Sequence, residues 1–438
     1  MRTGRACRNG SQVNSDMQTD NGSIDSLISE VHKRLPGERI ADIFGNCYGD
    51  TVRKALKMEP DGSVFVLTGD IPAMWLRDSA CQMRPYLILC GKDPILCGLI
   101  EGVIKRQIAC ILSDPYANAF NETANGRGWQ QDHTAMKPFL WERKYEIDSL
   151  CYPIQLSYLY WKNSGRVSHF SAEWKQAAEL ILQTCRTEQH HETQSAYRFE
   201  RTDCPPSDTL PENGKGNRVK DGIGLVWSGF RPSDDACTYG YLIPSNMFLT
   251  VILEYMAEIL SAVYGDEKTA EEASCFASEI RAAIEKYALM DSAYAYEVDG
   301  FGNAVFMDDA NVPSLLAMPY FGYCDGNDPY WLNTKKRILS HRNPYYFEGS
   351  ALKGIGSPHT PEGFVWDISI AMEGLVSRSP EEKRAVLDCL AAHDAGTGLM
   401  HEGINCNDDH DYTREWFSWA NALFCELVLD CLGMKIIR

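Results

Sequence analysis

Apolar residues recur at helical spacing along most of this 438-residue chain, and this periodicity constrains its fold more than any other feature. Positions i, i+3, i+4 and i+7 are repeatedly apolar, which is typical of amphipathic α-helices. Residues 245–263 are apolar on nearly every side, which indicates a helix buried in a core. The pattern predicts helices at 24–35, 40–55, from about 79, and at 96–112, 147–162, 172–185, 245–263, 270–287, 330–339, 367–376, 381–392 and 414–432.

Strand signals are few and short, and long polar connections separate the helical segments. Loops as long as residues 125–137 and 203–224 are usually functional in a compact domain. Because no change in composition divides the chain, we predict one all-α domain over 23–438, preceded by a flexible N-terminal tail at 1–22. The predicted strands are 63–67, 197–200 and a hairpin of 295–298 with 304–307.

The charge balance and the cysteine pattern exclude several classes of protein. A formal net charge of −18 argues against a general nucleic-acid binder, which needs a basic face, and against binding to an anionic membrane surface. No apolar run reaches transmembrane length, and the polar N-terminal stretch has no signal-peptide core. The 16 cysteines form no C-x-x-C pair and lie mostly in apolar stretches. We therefore expect a cytoplasmic protein with reduced thiols, without nucleic-acid or membrane partners.

The segment from Thr68 to Ala80 combines an aromatic ring, a guanidinium and carboxylates after a predicted strand. The Trp75 ring could cover the apolar face of a sugar, while Arg77 donates to hydroxyl groups and Asp78 accepts from them. A buried Arg77–Asp78 ion pair beside a core tryptophan explains the same residues equally well. The residues alone leave both interpretations open.

Hydrolysis of a glycosidic bond needs two carboxyl groups, one of which protonates the leaving oxygen. Asp234 and Asp235 are adjacent, and neighbouring carboxylates can raise one pKa, as a general acid requires. The alternative is that Pro232 to Asp235 form the start of a helix, with an aspartate as its N-cap.

Glu402 lies in a glycine-flanked stretch, where a solvated loop glutamate is the default interpretation. Glu415 competes with it for a catalytic role, but falls in the helix predicted for 414–432. His401 precedes Glu402, yet Asn405 stands where an H-E-x-x-H zinc motif needs its second histidine. The sequence therefore predicts no catalytic metal.

Other polar and aromatic residues are candidates for sugar recognition, each with a structural alternative. Asp309 and Asn311 follow the predicted hairpin and could bind hydroxyl groups or cap a turn. His359 lies on a loop rich in glycine and proline, where a structural role is more common. Trp129 lies in the polar 125–137 loop, where an exposed indole has either a ligand or a packing role.

Several sequence blocks occur together, in the order found in one family. The chain resembles the bacterial and fungal exo-α-1,6-mannosidases of glycoside hydrolase family 125, from about residue 25 to the C-terminus. The blocks are 68–80 (TGDIPAMWLRDSA), 114–120 (DPYANAF), 141–150 (WERKYEIDSL), 227–237 (WSGFRPSDDAC), 307–314 (MDDANVPS), 354–360 (GIGSPHT) and 396–403 (GTGLMHEG).

The resemblance implies an (α/α)6 barrel of paired helices, with short β-hairpins and long functional loops on one face. It also implies an exo-acting, inverting hydrolase without cofactor or metal, which releases non-reducing-terminal mannose from α-1,6-linked N-glycan or mannan fragments. Asp234 is then the general acid, and Glu402 is the general base that activates water. The implied substrate-binding residues are Trp75, Arg77, Asp78, Trp129, Arg231, Asp235, Asp309, Asn311 and His359.

Other functions remain open on the sequence. A glycoside phosphorylase would need phosphate beside the acid, and Arg77 with Arg231 could hold it. Another glycosidase on the same barrel is a second enzymatic alternative. A glycan-binding protein without catalysis is the non-enzymatic one, although both candidate carboxyls are present. The expected partner is an oligosaccharide, and the expected oligomeric state is a monomer.

Overall fold

A computed structural model describes residues 22–438. The predicted tail at 1–22 lies outside the described residues, except for Gly22, which begins the first helix. Within the described part of the chain, twelve helices are eight or more residues long. They are α1 Gly22–Arg34, α2 Arg39–Asp50, α3 Leu76–Met83, α4 Pro94–Ser113, α5 Ile147–Ser164, α6 Ala172–Glu188, α7 Ile243–Ala262, α8 Glu267–Tyr287, α9 Pro329–Ile338, α10 Asp367–Val376, α11 Pro380–Ala392 and α12 Ser418–Cys431.

The inner helices form a closed circle of contacts. α3 packs against α5, and α5 packs against α7. A one-turn helix at Met318–Phe321 connects α7 with α10 in space; α10 packs against α12, and α12 returns to α3. Outer helices cover this circle, with α2 against α12, α4 against α5, α8 against α7 and α11 against α10. The chain is therefore mainly helical, as its periodicity predicts.

Burial separates the inner helices from the outer ones. Every residue of α3 is buried, and α7 is buried over most of its surface, which confirms the expectation for 245–263. The outer helix α6 buries one stripe, including Trp174 and Ile181, and exposes its charged side. The clear amphipathic signal of the sequence therefore comes mainly from the outer layer.

One inner helix also meets the criteria of a membrane span. Within residues 22–438, Ile243–Ala262 is the single helix long and apolar enough to cross a bilayer by length and composition. The expectation that no apolar run reaches this length is therefore wrong. The helix is apolar because it packs between α5 and α8, and 78% of its apolar window is buried inside the fold.

Fifteen short strands pair into six small antiparallel sheets within 22–438. The predicted hairpin is confirmed, because Glu297–Val298 pairs with Ala304–Val305. The predicted strand at 197–200 is wrong, because only Glu200 pairs, in a single bridge with His133. The strands are β1 Leu56–Met58, β2 Val64–Val66, β3 Met74–Trp75, β4 Ala119–Phe120, β5 Leu140–Glu142, β6 Tyr241–Leu242, β7 Leu289–Met290, β8 Ala293–Tyr294, β9 Glu297–Val298, β10 Ala304–Val305, β11 Tyr346–Glu348, β12 Lys353–Ile355, β13 Phe364–Val365, β14 Gly403–Asn405 and β15 Asp408–Thr413.

Two helix starts differ from the periodicity. α3 begins at Leu76, before the predicted position, so that Arg77 and Asp78 lie in its first turn. α12 begins only at Ser418, because residues 414–417 form a connection after β15, which pairs with β14. Glu415 therefore lies in an exposed connection and not in a helix, contrary to the prediction.

Candidate active site

A cavity with about 160 Å³ of water-accessible space lies where several inner helices begin. The first turn of α3 contributes Arg77 and Asp78, and the first turn of α12 contributes Trp419. Trp366, which directly precedes α10, completes this part of the wall. Because helix N-termini carry unpaired N–H groups and partial positive charge, this end of the fold favours carboxylates and hydroxyl oxygens.

Most of the residues predicted for the site meet at this cavity. Residues from distant parts of the chain form a single lining, which no local sequence pattern requires. The predicted residues that line it are Trp75, Arg77, Asp78, Asp234, Asn311, His359 and Glu402.

Two predicted residues lie one contact behind the wall. Asp235 is buried, and its carboxylate lies 3.5 Å from the Nδ1 atom of His359. Asp309 is buried and accepts hydrogen bonds from the backbone N–H of Asn311 at 3.1 Å and from its side-chain amide at 3.0 Å. The two aspartates therefore orient the side chains of His359 and Asn311 towards the cavity.

Two other predicted residues point elsewhere. The Nε atom of Arg231 donates to Glu297 at 2.6 Å in a buried ion pair, away from the cavity lining. Trp129 is 49% exposed, and the guanidinium of Arg201 lies 3.9 Å from its ring centroid. Neither side chain lines the cavity, so the structure offers no direct contact between them and a ligand there.

Asp234 lies in a tight turn and does not cap a helix. The backbone of Arg231 donates to the carbonyl of Asp235 at 2.8 Å, and Asp234 donates to the carbonyl of Arg231 at 2.9 Å. Asp234 has φ of 67°, a left-handed conformation that is costly for most residues but tolerated by aspartate. The turn holds the carboxylate at the cavity with 21% of its side chain exposed.

Arg77 connects Asp234 to a buried cluster of carboxylates. It donates to Glu146 at 2.7 Å, to Asp148 at 2.9 Å and to Asp234 at 3.2 Å. The Asp78 carboxylate lies 3.6 Å from its Nε atom. The buried Arg77–Asp78 ion pair that the sequence offered is therefore present, and Arg77 also lines the cavity.

The charges in this cluster shift its pKa values in opposite directions. Burial alone would raise the pKa of Asp234, but Arg77, together with Glu146 and Lys144, holds it well below its usual range. Burial raises the pKa of Glu146 well above its usual range, and the neighbouring Asp234 charge adds to this effect. Burial also raises the pKa of Asp78 to about 6, against the opposing charge of Arg77.

Glu402 faces the cavity from the other side and directly precedes β14. Its Oε1 atom lies 3.6 Å from Nη1 of Arg414, which therefore compensates its charge. Arg414 is held in turn by Asp70, which accepts from it at 2.9 and 2.5 Å, and by the carbonyl of Thr68 at 3.2 Å. One arginine thus fixes the position of the second candidate carboxylate.

His359 presents a positively charged ring to the same space. Burial alone would lower its pKa, but the hydrogen bond and charge of Asp235, with Glu402 and Asp234, raise the pKa of His359 to about 9. The imidazolium therefore carries two N–H donors at neutral pH. With 41% of its side chain exposed, it can donate to a hydroxyl group of a ligand in the cavity.

Several lining residues were missed by the sequence reasoning. Trp366 and Phe417 directly precede inner helices, and Trp419 lies in the first turn of one. The same signal, an aromatic residue at the start of an apolar helix, marks Trp75 before α3 and could have found them. The lining residues that were not predicted for the site are Thr68, Ile71, Pro232, Ser233, Trp366, Arg414, Phe417 and Trp419.

Within residues 22–438, no group of three or more His, Cys, Asp or Glu side chains is arranged to hold a metal ion. His401, which matches the first position of a zinc motif in the sequence, is buried beside the cavity wall. Its Nδ1 atom lies 3.0 Å from the carbonyl oxygen of Arg414, and its Nε2 atom lies 3.0 Å from the hydroxyl of Thr397. Both ring nitrogens therefore already have protein partners.

A larger cavity of about 620 Å³ contains none of the predicted site residues. Charged residues line it, and several of them are already paired. Arg84 donates to Glu426 at 2.8 Å, and Asp430 forms ion pairs with two lysines of the wall. The smaller cavity, which contains two candidate catalytic carboxylates, is therefore the better candidate for chemistry.

Comparison with known proteins agrees with this choice. The family model for metal-independent α-mannosidases (GH125) matches residues 37–429. The chain belongs to glycoside hydrolase family 125. It is therefore a glycoside hydrolase of the α-mannosidase class, as its sequence blocks indicated.

Two relatives resemble this family 125 chain over most of its length. The meiotically up-regulated gene 157 protein of Schizosaccharomyces pombe is 38% identical over an alignment of 439 positions, which covers 94% of this chain and 86% of that protein. A solved metal-independent α-mannosidase of Streptococcus pneumoniae, in a non-productive complex with α-1,6-mannobiose, is 46% identical. Its TM-score is 0.92, and the match covers 94% of this chain and 98% of that structure.

A more distant likeness concerns the fold alone. A bacterial glucoamylase complexed with acarbose matches with a TM-score of 0.57 at 12% identity. The match covers 95% of this chain and 59% of that structure. At such low identity the shared arrangement of helices carries no information about the substrate of the family 125 chain.

Proposed function

We propose that this family 125 chain is an exo-acting, inverting α-1,6-mannosidase with Asp234 as general acid and Glu402 as general base. The observation that carries the proposal is that both carboxylates line one small cavity, each beside its own arginine. Inversion in a single step needs an acid on one side of the sugar and a base that activates water on the other. The base takes a proton from the water while the acid gives one to the leaving oxygen.

The size and polarity of the cavity support exo action. Its water-accessible space of about 160 Å³ is below the roughly 300–1,000 Å³ of sites that enclose drug-sized ligands. Asp78 and Asn311 offer hydrogen bonds to sugar hydroxyls, and the Trp75 ring offers an apolar face. Such a site suits one terminal sugar. The preference for 1,6 linkages is supported by the α-1,6-mannobiose complex of the Streptococcus pneumoniae relative.

We propose that residues 23–438 form one (α/α)6 catalytic domain. The closed circle of inner helices with outer partners supports this arrangement, and so does the continuous apolar core that extends from α1 to α12. The fifteen cysteines of residues 22–438 carry free thiols, which supports a cytoplasmic location. We also propose that the protein acts as a monomer on α-mannoside oligosaccharides such as N-glycan or mannan fragments.

The charge pairs argue against a phosphorylase. Arg77 already serves three carboxylates, and Arg231 is paired with Glu297 outside the cavity lining. A phosphate beside Asp234 would therefore face carboxylates and no free pair of arginines. The presence of both candidate carboxylates at one cavity argues against a protein that only binds glycans.

One experiment tests the proposal directly. The protein is incubated with α-1,6-mannobiose, with and without phosphate, and early products are followed by proton NMR. We expect free mannose at a rate independent of phosphate, with the β-anomer appearing first. Mannose phosphate would indicate a phosphorylase, and α-mannose appearing first would indicate a retaining enzyme with other roles for the two carboxyls.

A panel of mannobioses tests the linkage separately. We expect the 1,6 isomer to be cleaved fastest. Faster cleavage of the 1,2 or 1,3 isomer would overturn the linkage preference and leave the roles of Asp234 and Glu402 untouched.

A further inference from the structure

The acid proposed for this enzyme stands in surroundings that favour its charged form. Arg77 donates to the Asp234 carboxylate, and the amide of Asn118 lies 3.2 Å from the same oxygen. A general acid must nevertheless carry a proton when the leaving oxygen needs it. The free enzyme therefore needs a proton donor within reach of Asp234.

Glu146 is placed to be that donor. It is completely buried directly before α5, and its carboxyl group is brought next to that of Asp234 by shared donors. The amide nitrogen of Asn118 lies 3.3 Å from Oε1 of Glu146 and 3.2 Å from Oδ1 of Asp234, and Arg77 donates to both residues. The Oε2 atom of Glu146 accepts from Arg77 at 2.7 Å and from the hydroxyl of Ser149 at 2.8 Å. Oε2 is therefore saturated with donors, so a proton on Glu146 belongs on Oε1, the oxygen beside Asn118.

The amide of Asn118 cannot satisfy every oxygen that surrounds it. Its nitrogen lies 2.9 Å from Glu142, 3.3 Å from Glu146 and 3.2 Å from Asp234, yet it has only two hydrogens. Its oxygen accepts from the backbone N–H of Lys144 at 3.2 Å, which fixes the direction of the amide. A proton between Glu146 and Asp234 supplies the missing hydrogen.

The net charge of the cluster leads to the same conclusion. Four carboxylates surround Arg77, and ionisation of all four in a buried site would leave uncompensated negative charge. Lys144 and His359 approach Asp234 from other segments but do not contact Glu146. The charged groups facing the pair are Arg77, Asp78, Glu142, Lys144, Asp148 and His359.

We propose that Glu146 and Asp234 share one proton, which rests on Glu146 Oε1 in the free enzyme and moves to Asp234 when a sugar fills the cavity. Bound sugar removes water from the exposed Asp234 carboxylate, so the neutral acid becomes its favoured form. The side chain of Glu146 is fully buried and does not line the cavity, so it acts as a positioning residue for the acid.

The proton balance closes over one turnover. The O–H bond of Glu146 breaks as that of Asp234 forms, and Glu146 remains as a carboxylate beside Arg77. Asp234 then gives the proton to the leaving oxygen, while Glu402 takes one from the attacking water. After product release, Glu402 loses its proton to solvent and the Glu146–Asp234 pair regains one. Two like charges close together hold this proton to higher pH than Asp234 alone could.

Glu146→Gln tests this inference, which rests on the proposed role of Asp234. The variant keeps the shape and a donor but cannot supply a proton. We expect the alkaline limb of the kcat/KM profile for α-1,6-mannobiose to move to lower pH by about one unit or more, with a loss of about tenfold or more at neutral pH. An aryl α-mannoside with a very good leaving group, which needs little protonation, should lose less than about threefold.

Asp148→Asn is the matched control. It removes an equally buried carboxylate from the same guanidinium, but one that makes no contact with Asn118 or Asp234. We expect its alkaline limb to stay close to that of the wild type. If Glu146→Gln and Asp148→Asn give the same profile, or if Glu146→Gln slows both substrates equally with an unmoved limb, Glu146 is only structural and the inference is wrong.

Glu146→Asp keeps the test decisive if the glutamine variant does not fold. Its shorter side chain keeps an acid but moves it away from Asp234. We therefore expect the alkaline limb to lie between those of the wild type and Glu146→Gln, and the activity on mannobiose to be higher than that of Glu146→Gln. An alkaline limb at the same pH as in the wild type would contradict the proposal that Glu146 and Asp234 share a proton. Failure of the proposed function is recognised separately, because Asp234→Asn would then still hydrolyse mannobiose at a near-normal rate.

Discussion

The two candidate catalytic carboxylates share a cavity but have contrasting surroundings. Asp234 belongs to a buried cluster in which one arginine serves several carboxylates. Glu402 has a single arginine partner, Arg414, at 3.6 Å, and that arginine is fixed by a half-exposed Asp70. The first environment is crowded with negative charge and can retain a proton, whereas the second compensates its one carboxylate.

This contrast matches the chemistry expected of each group. An acid must begin the reaction with a proton, and a cluster with surplus carboxylates keeps one near neutral pH. A base must begin the reaction charged, and the guanidinium of Arg414 lies 3.6 Å from the Glu402 carboxylate. In the proposed mechanism, two carboxylate side chains would therefore take different roles because of their neighbours.

The largest expected effect distinguishes the two carboxylates by how strongly the activity of each variant depends on the leaving group of the substrate. Asp234→Asn should lower kcat/KM for α-1,6-mannobiose by about 10²–10⁴-fold, but should affect an activated aryl mannoside much less, since that substrate needs little protonation. Glu402→Gln should slow both substrates by a similar large factor, because water must be activated in either case. Steady-state kinetics on the two substrates check this, and a swapped pattern would exchange the two roles.

The second prediction compares the two arginines by stability. Arg77→Met leaves several buried carboxylates without a partner, so we expect it to lower the free energy of unfolding by about 3–5 kcal/mol. Arg414→Met breaks a pair with the 41% exposed Asp70 and a longer 3.6 Å contact with Glu402, so we expect a smaller loss of about 1–2 kcal/mol. Urea denaturation measures both.

A matched variant sharpens this comparison. Arg77→Lys keeps the charge but loses the planar fork that serves several carboxylates, so its stability should lie between those of the wild type and Arg77→Met. Equal losses for the methionine variants at Arg77 and Arg414 would show that the two ends of the cavity do not differ in the way described.

The third prediction concerns the imidazolium between the two carboxylates. Asp235→Asn removes the main cause of the raised pKa of His359, so that value should fall from about 9 towards 6.5. The folded pKa lies above the unfolded one; the interaction therefore stabilises the fold fully below about pH 6.5, and this contribution is lost as the pH rises through 9. Histidine NMR titration and melting curves at pH 6 and pH 9.5 check both statements.

Two results would contradict that prediction. An unchanged titration of His359 in the variant would mean that Glu402 and Asp234 alone hold its proton. A difference in melting temperature that grows with pH would show that the sign of the linkage is wrong.

The smallest effect is expected for a residue that the sequence placed in the site and the structure places outside the cavity. Trp129→Ala should change kcat/KM for α-1,6-mannobiose by less than about twofold, because the indole is 49% exposed and packs on Arg201. Trp75→Ala, at the cavity wall, is the matched comparison and should raise KM by about tenfold or more. Similar effects for both would return Trp129 to the site.

The helices could be predicted from sequence because each apolar stripe reports its own burial. α10 and the buried α7 follow from the pattern of their residues alone. The start of α12 could not be predicted, since Trp416 and Phe417 continue the apolar pattern while residues 408–413 are drawn into pairing with β14. A short strand takes its stability from a partner, which no local pattern reveals.

The site was predictable in part for a similar reason. Trp75, Arg77 and Asp78 share one segment, and the family resemblance supplied Asp234 and Glu402. Arg414 could not be found, because its role depends on Asp70, which lies 344 positions away in the sequence. The resemblance also supplied Arg231, but the structure directs its side chain to Glu297 and not into the cavity lining.

The closed circle of inner helices has a consequence for the order of events during synthesis. α12 contacts both α2 and α3, so the last long helix of the chain completes a wall that one of the earliest begins. Until Ser418–Cys431 has left the ribosome, the apolar faces of α3 and α10 that α12 covers in the folded protein stay exposed. At about 5–20 residues per second, the interval between the synthesis of α3 and that of α12 lasts tens of seconds, whereas the interval for α10 lasts only several seconds. The face of α3 is therefore the one that chaperones would have to protect longest from aggregation.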